Sequence, residues 1–576
     1  PARSTRGSTP RAPITTQTSG GSPLVDPSMD ELDRRPFAEA LVRAIERAPL
    51  GDGFVIGLHA PWGDGKSTVL NFVASELPKR DIPCLRYNPW RFSDESQMIR
   101  GLIGQITSAI GKPESKLRSI ATEYGDIVAR VAEVLDERAG RAASAIKLHI
   151  DGELEQRHDE LVASMRKTSR RVAVLIDDID RLDPAEIFTL LRIVKACADL
   201  PGLVYVLAFD DAVVADALQA RYANAQHTRD TGARAESGRR FLEKIVQMPL
   251  SLPPAEPVAL ERKLRAGIDR ILSALAISLG QSDEARFNEL FSNGLRPAIQ
   301  TPRQVKHYLN AASFALAALA NEANPTDVLM VEGLRALYPS VYAVVRTNQD
   351  LFCGGPMREN DVVVAHKLEG KLWHTAAMQA LPVRQRHGVE HLLRSLFPRL
   401  GLDSTRPWIS PVDVARWEHD KRVCAPSYCS RYFAYAVGSS DVPDATLDAI
   451  LRLADRPESP ALDAEVADAL KPQRQRATMT RLKSRVMLIT PTAAARLIPA
   501  ISRRSRDFAE PFSLAEQGFG MEAAVRLAYL LRRVNDQARQ SELVRDILQH
   551  TPALWFAALV WTRIQPQRVQ GSDELD

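Results

Sequence analysis

The chain has 576 residues, more than a single hydrophobic core organises, so two to four domains are expected. Apolar residues make up 45% and charged residues 25%, the balance of a soluble globular protein. The formal net charge of +4, from 75 basic and 71 acidic side chains, makes no global case for a nucleic-acid or anionic-membrane binder. Residues 1–28 are rich in Ser, Thr, Pro and Gly, show no charged-then-apolar signal pattern, and read as a disordered tail. Leu32, Phe37, Ala40, Leu41, Ala44 and Ile45 then fall on one face of a helix. Phe54 to His59 is a short apolar strand, Ala60 to Thr68 a loop, and Val69 to Leu77 a helix. Cys84 to Tyr87 is another strand, closed by Asn88-Pro89-Trp90.

From about 95 to 168 the pattern is helical and charged, as expected of an insertion of a few helices. Arg171 to Ile176 is a buried strand, Ala185 to Ala198 an amphipathic helix, and Leu203 to Phe209 a further apolar strand. This alternation predicts an α/β domain, a parallel sheet with helices on both faces, over about 29–254. Beyond Pro253 helical segments dominate, broken at Pro302, Pro325, Pro339, Pro382, Pro407, Pro443, Pro491 and Pro552. No apolar run reaches the roughly 20 residues that span a bilayer, and Ser313 to Ala320 and Ala553 to Val560 read as core helices. Five cysteines, Cys84, Cys197, Cys353, Cys424 and Cys429, are odd in number and sparse, and read as reduced thiols of a cytoplasmic protein.

The chemistry begins at Ala60-Pro61-Trp62-Gly63-Asp64-Gly65-Lys66-Ser67. It fits the phosphate-loop pattern except that Ala60 replaces the first glycine. Gly63 and Gly65 permit the turns that aim successive amides at phosphate oxygens. Lys66 reaches the β- and γ-phosphates, the Ser67 hydroxyl takes Mg²⁺, and the following helix adds its positive end. The strand before the loop and the helix after it are the context this mechanism requires. Val172 to Ile176 then ends on Asp177-Asp178 at the carboxyl edge of the sheet, where ligands bind in such folds. Asp177 is the expected Mg²⁺ carboxylate, on a strand expected to lie beside that of the phosphate loop. Asp178 is the expected base or water-orienting group. Arg181 either neutralises these acids or contacts a neighbouring subunit. The absence of an Asn-Lys-x-Asp guanine-reading motif points to ATP.

Further motifs converge with these: Asn88-Pro89-Trp90-Arg91-Phe92, Ile176 through Leu182, Leu207-Ala208-Phe209-Asp210, Phe241 through Gln247, Leu252-Pro253, and Thr301-Pro302-Arg303-Gln304-Val305-Lys306. Together with the loop they resemble the KAP family of P-loop ATPases over about 30–315, with weaker likeness at Arg431-Tyr432-Phe433. Many members carry transmembrane helices between the loop and the acidic strand. Here the insertion is polar, so the chain resembles a soluble bacterial branch found in anti-phage defence operons such as the Qat type. The resemblance implies Mg·ATP bound by Trp62, Gly63, Asp64, Gly65, Lys66, Ser67 and Thr68, and a helical lid over 255–315 bearing a sensor arginine, Arg303. A C-terminal helical region over 316–576 follows. It implies an arginine finger at Arg240, or else Arg239, which would stabilise charge in trans and bring self-association. Asp210 is either a γ-phosphate sensor or a turn residue. Operon-encoded protein partners are expected and membrane insertion is not. A slow nucleotide switch or scaffold is the alternative to an ATPase, and a nucleic-acid motor stays open but is disfavoured by the charge balance.

Three other patterns carry less. His387-Gly388-Val389-Glu390-His391 spells a zinc-peptidase motif but lacks an obvious third ligand and has a glycine in its helix. The basic stretch Arg474 to Arg485, with Arg503, Arg504 and Arg506, reads as a solvated face. Trp555 and Trp561 read as core packing.

Overall fold

The computed structural model describes residues 23–92, 95–109, 123, 156, 158–163, 165–166, 170–197, 200–223, 238–355, 370, 372–373, 375–401, 408–456, 460–508 and 519–564. Most of the predicted tail, most of the insertion over 95–168, and Cys197's neighbours at 198–199 lie outside them. The chain forms two compact units, one of Ser19–Ala266 with Ile299–Lys306, the other of Gly267–Ala298 with the residues from His307 onward. The division falls inside the expected lid segment.

The first unit is built on five parallel strands, β1 (Phe54–His59), β2 (Cys84–Tyr87), β3 (Val172–Ile176), β4 (Leu203–Phe209) and β5 (Met248–Ser251), in the order β2-β3-β4-β1-β5. Its helices are α1 (Arg35–Arg47), α2 (Lys66–Glu76), α3 (Glu95–Ala109), α4 (Pro184–Cys197) and α5 (Asp211–Ala223). β3 and β4 read as unbroken apolar runs because both faces of a parallel sheet are covered. The pleat still sorts them. Val172, Val174 and Ile176 join Leu203, Tyr205, Leu207 and Phe209 in a core with α3, α4 and α5. Ala173 and Leu175 join Val204, Val206 and Ala208 in the opposite core, against Ala38, Leu41, Val42 and Ile45 of α1 and Val69, Leu70, Phe72 and Val73 of α2. β5 carries little strand signal, and Pro249 fits its edge position, where one side needs no ladder.

β4 lies between β1 and β3. The expectation that the acidic strand neighbours the loop-bearing strand is thereby corrected. Apolar patterning identifies strands but carries no information on their lateral order.

The second unit is helical. Several of the prolines that interrupt its pattern are helix starts rather than breaks. Pro325, Pro339 and Pro491 occupy the first positions of Pro325–Leu337, Pro339–Thr347 and Pro491–Ser502, where a missing N–H costs nothing. Cys353 and Cys429 are joined in a disulfide, 76 residues apart with Cα atoms at 6.3 Å. This corrects the reading of all five thiols as reduced, since spacing alone cannot show that Gln349–Phe352 and Cys429–Ala434 bring their ends together. Of the free thiols described, burial pushes Cys84 up to about 11 and Cys424 to about 12.

Arg481 is 2% exposed and Arg431 wholly buried, so the reading of 474–485 as a solvated face is corrected at Arg481, while Arg476 and Lys483 are exposed. Arg481 bonds Asp441 at 3.0 Å and Asp444 at 2.7 Å, and its guanidinium lies 4.3 Å from the Tyr428 ring centre. Arg431 binds Asp441 at 2.7 Å and also contacts Glu322 and Tyr428. Trp555 packs partly buried against the surrounding core as expected, but Trp561 is 43% exposed, which corrects its core assignment. Replacing Arg481 by alanine leaves Asp441 and Asp444 short of a buried counter-ion. It should destabilise this unit by about 3–5 kcal/mol, read as a lower urea midpoint, whereas alanine at the half-exposed Arg503–Asp463 pair should leave the midpoint in place.

Candidate functional site

The loop between β1 and α2 adopts the geometry its glycines allow. Gly63 has φ 101° and Gly65 φ 99°, the left-handed region that glycine enters without strain. A Cβ on Gly63 would sit 2.9 Å from the Cβ of Arg303, so the segment Ile299–Lys306 leaves no room there for a side chain. The Arg303 guanidinium lies 4.4 Å from the centre of the Trp62 indole, which is itself 60% exposed. The residue expected to be a sensor is therefore stacked on the loop it was expected to sense.

Lys66 is 7% exposed. Its ammonium donates to the Ala60 carbonyl at 2.7 Å and pairs with Asp180 at 3.3 Å. Ala60, the departure from the motif, thus serves through its backbone. Asp180, given no role in the sequence reading, also accepts the amide of Asp210 at 3.1 Å. Asp210 in turn accepts the Trp62 amide at 3.2 Å and caps α5 through the Ala212 amide at 3.1 Å. The ends of β1, β3 and β4 are so closed into one ring of polar contacts. Asp210 is a cap that also holds the loop, which joins the turn role to a position beside the phosphate cradle.

The paired acids make different contacts, although the Asp178 amide donates to the Asp177 carboxylate at 2.9 Å. Asp177 continues the β3 ladder by donating its amide to Tyr87, and it follows Leu175 on the face of α1 and α2. It lines a cavity of about 290 Å³ with Leu70, Asn88, Arg91 and Arg86. Leu70 stands one helical turn beyond Ser67 on α2, so Ser67 and Asp177 are turned toward the same side of the sheet. Asp178 has φ 60°, pairs with Arg181 at 2.8 Å and accepts from Asn88 at 3.4 Å. Arg181 therefore neutralises this cluster within the chain.

No group of three or more His, Cys, Asp or Glu side chains that could hold a metal by themselves occurs among the described residues. That includes the zinc-peptidase pattern, where His391 contacts Glu289 at 3.3 Å. A Mg²⁺ site built from a hydroxyl, one carboxylate, water and substrate phosphates needs no such cluster. Ser67 and Asp177 fit it. Of the expected fingers, Arg239 pairs with Asp211 at 3.3 Å with its side chain 61% exposed, and Arg240 is exposed beside it.

Residues 34–317 match the family model described as the KAP family P-loop domain. This segment is a KAP P-loop domain. The chain is 22% identical over 364 residues to the phage T7 exclusion protein of Escherichia coli (strain K12), an alignment covering 55% of this chain and 47% of that one. The chain thus spans about half the length of that relative. Among solved structures, the ORC2 protein of Aeropyrum pernix, determined as ADPNP-ADP complexes, aligns over 64% of this chain and 87% of its own at 16% identity and a TM-score of 0.29, too loose a likeness to bear weight. Among the described residues no helix is long and apolar enough to cross a membrane.

Within the KAP domain, burial raises Asp64 above the usual carboxylate range against the pull of Arg34 and Lys66. Burial likewise raises Asp178, and the charge of Asp177 adds to it. Burial holds His59, at the end of β1, below the usual imidazole range, with Asp211 3.8 Å away and the Phe209 ring tilted against it at 4.6 Å. A carboxyl whose folded value is raised gives up its proton first in the unfolded chain. The empty protein should therefore lose stability as pH climbs from the ordinary Asp range through the raised value. Asp178→Asn removes that strain, so the variant should melt at a higher temperature than wild type at neutral pH, and differential scanning fluorimetry across a pH series should show a flatter profile.

Proposed function

We propose that the protein is a KAP-family ATPase that binds Mg·ATP at Gly63, Asp64, Gly65, Lys66, Ser67 and Thr68, hydrolyses it, and works in bacterial anti-phage defence. The observation that carries this reading is the buried Lys66 ammonium, set between the loop carbonyl of Ala60 and the acids that follow β3. A buried lysine with one ion pair beside a glycine-rich loop is suited to exchange its carboxylate for a phosphate oxygen. Loop amides and the N-terminus of α2 then hold the phosphates, and Trp62 with Arg303 flanks them. Bound Mg²⁺ supplies neutralisation of charge on the phosphate oxygens. Asp178, with its raised proton affinity, accepts a hydrogen bond from the attacking water and aligns it with the γ-phosphorus. Arg240, or Arg239 once released from Asp211, reaches a neighbouring copy's phosphates and stabilises charge in the transition state.

Phage defence is carried over from the exclusion protein of Escherichia coli, which this chain covers only in part. Coupling to operon-encoded partners and a cytoplasmic location belong to the same reading. Phosphate release should fall by about 10²–10⁴ in Asp178→Asn, the usual worth of a positioned base, and to background in Lys66→Ala. Equal rates in all three proteins would end the ATPase assignment. If a finger acts in trans, specific activity should climb with protein concentration in wild type and stay flat in Arg240→Ala.

A second reading, a slow switch, is favoured by two contacts: Asp178 is engaged by Arg181 and Asn88 rather than free to meet water. A single-turnover assay separates the two, since a switch retains bound ATP for hours.

A further inference from the structure

Arg34 lies outside every motif considered so far. It immediately precedes α1, is 4% exposed, and has no carboxylate within ion-pair distance among the described residues. Its guanidinium is spent on the backbone. One Nη donates to the Asp64 carbonyl at 3.0 Å, and the other donates to the carbonyl of Pro253, just beyond β5. Nε is buried without a partner. Desolvating a guanidinium for two carbonyls is expensive: burial lowers its proton affinity, and the charges of Asp64 and Asp30 offset this only in part. Such an arrangement is worth its cost where the orientation of those carbonyls matters.

The Asp64 carbonyl belongs to the same planar trans peptide as the Gly65 N–H, so the two groups point in opposite directions. Gly65, at φ 99°, lacks the Cβ that would otherwise limit how this peptide turns. We infer that Arg34 is a positioning residue of the nucleotide site: by gripping the Asp64 carbonyl it aims the Gly65 N–H at a bound phosphate, and through Pro253 it ties the loop to the edge strand. The inference rests on the reading of this loop as a nucleotide site. Arg34 touches no reacting atom; it acts through the loop backbone.

The test uses Mg·mant-ADP binding by the full chain, with amide hydrogen exchange of the loop peptide in nucleotide-free protein. Arg34→Ala should weaken binding about ten-fold, equivalent to about 1.4 kcal/mol, and speed exchange at Gly65 and Lys66. Arg34→Gln, which keeps one donor but no fork, should fall between. It is also the deciding variant if Arg34→Ala fails to fold. Unchanged affinity and loop exchange in the folded variants, even with a lower melting temperature, would reduce Arg34 to a structural role and overturn the inference. Wild-type protein that binds no Mg·mant-ADP would instead refute the nucleotide site itself, so the two failures are distinguishable.

Discussion

The Lys66 ammonium is buried at the first turn of α2, where the helix adds its own positive end, and water is largely excluded. A cation in that position must be answered by oxygens. The Ala60 carbonyl and Asp180 supply them, and both depend on the fold around them. Asp180 reaches the lysine because β4 stands between β1 and β3 and presents the Asp210 amide to the same carboxylate. Asp210 then returns to the loop through the Trp62 amide. The sheet order and the loop conformation are thus linked by one charge.

Carboxylates and guanidiniums are interleaved around this lysine, with Arg86 and Arg91 lining the cavity beside Asp177. Asp64, Asp177, Asp178, Asp180 and Asp210 gather there, and the raised values of Asp64 and Asp178 register their burial and crowding. Arg34, Arg181 and Arg303 partly offset them, each by a different means: a carbonyl clamp, a salt bridge and a stacked indole. A divalent cation among these acids would offset their charge where phosphates approach. Asp177 and Asp178 make different contacts. One faces the cavity beside α2, the other faces Arg181 and Asn88.

Much of this was readable before any coordinates. Buried parallel strands are conspicuous because they lack alternation, and the loop and the acidic strand end carry their chemistry in residue types. What escaped was whatever depends on lateral order or on distant pairing. Nothing in Leu203 to Phe209 says that it separates β1 from β3. Asp180 looked like one acid among several until β4 brought Asp210 against it. Arg34 is silent in sequence because its partners are carbonyls, which every residue carries. Cys353 and Cys429 were misread for the same reason: an odd, scattered set gives no hint of which helix ends meet.

The helical unit carries this lesson into electrostatics. Its basic stretch looks like a surface when read as a line of arginines. In the structure Arg481 and Arg485 are committed to Asp444, Arg474 to Asp468, and Arg504 to Asp507. Charges spent within the unit offer little to a phosphate backbone, whose binding depends on cations free to replace counter-ions. The near balance of acids and bases in the whole chain therefore has a local counterpart here: arginine is used to hold helices together around Tyr428, Asp441 and Asp444.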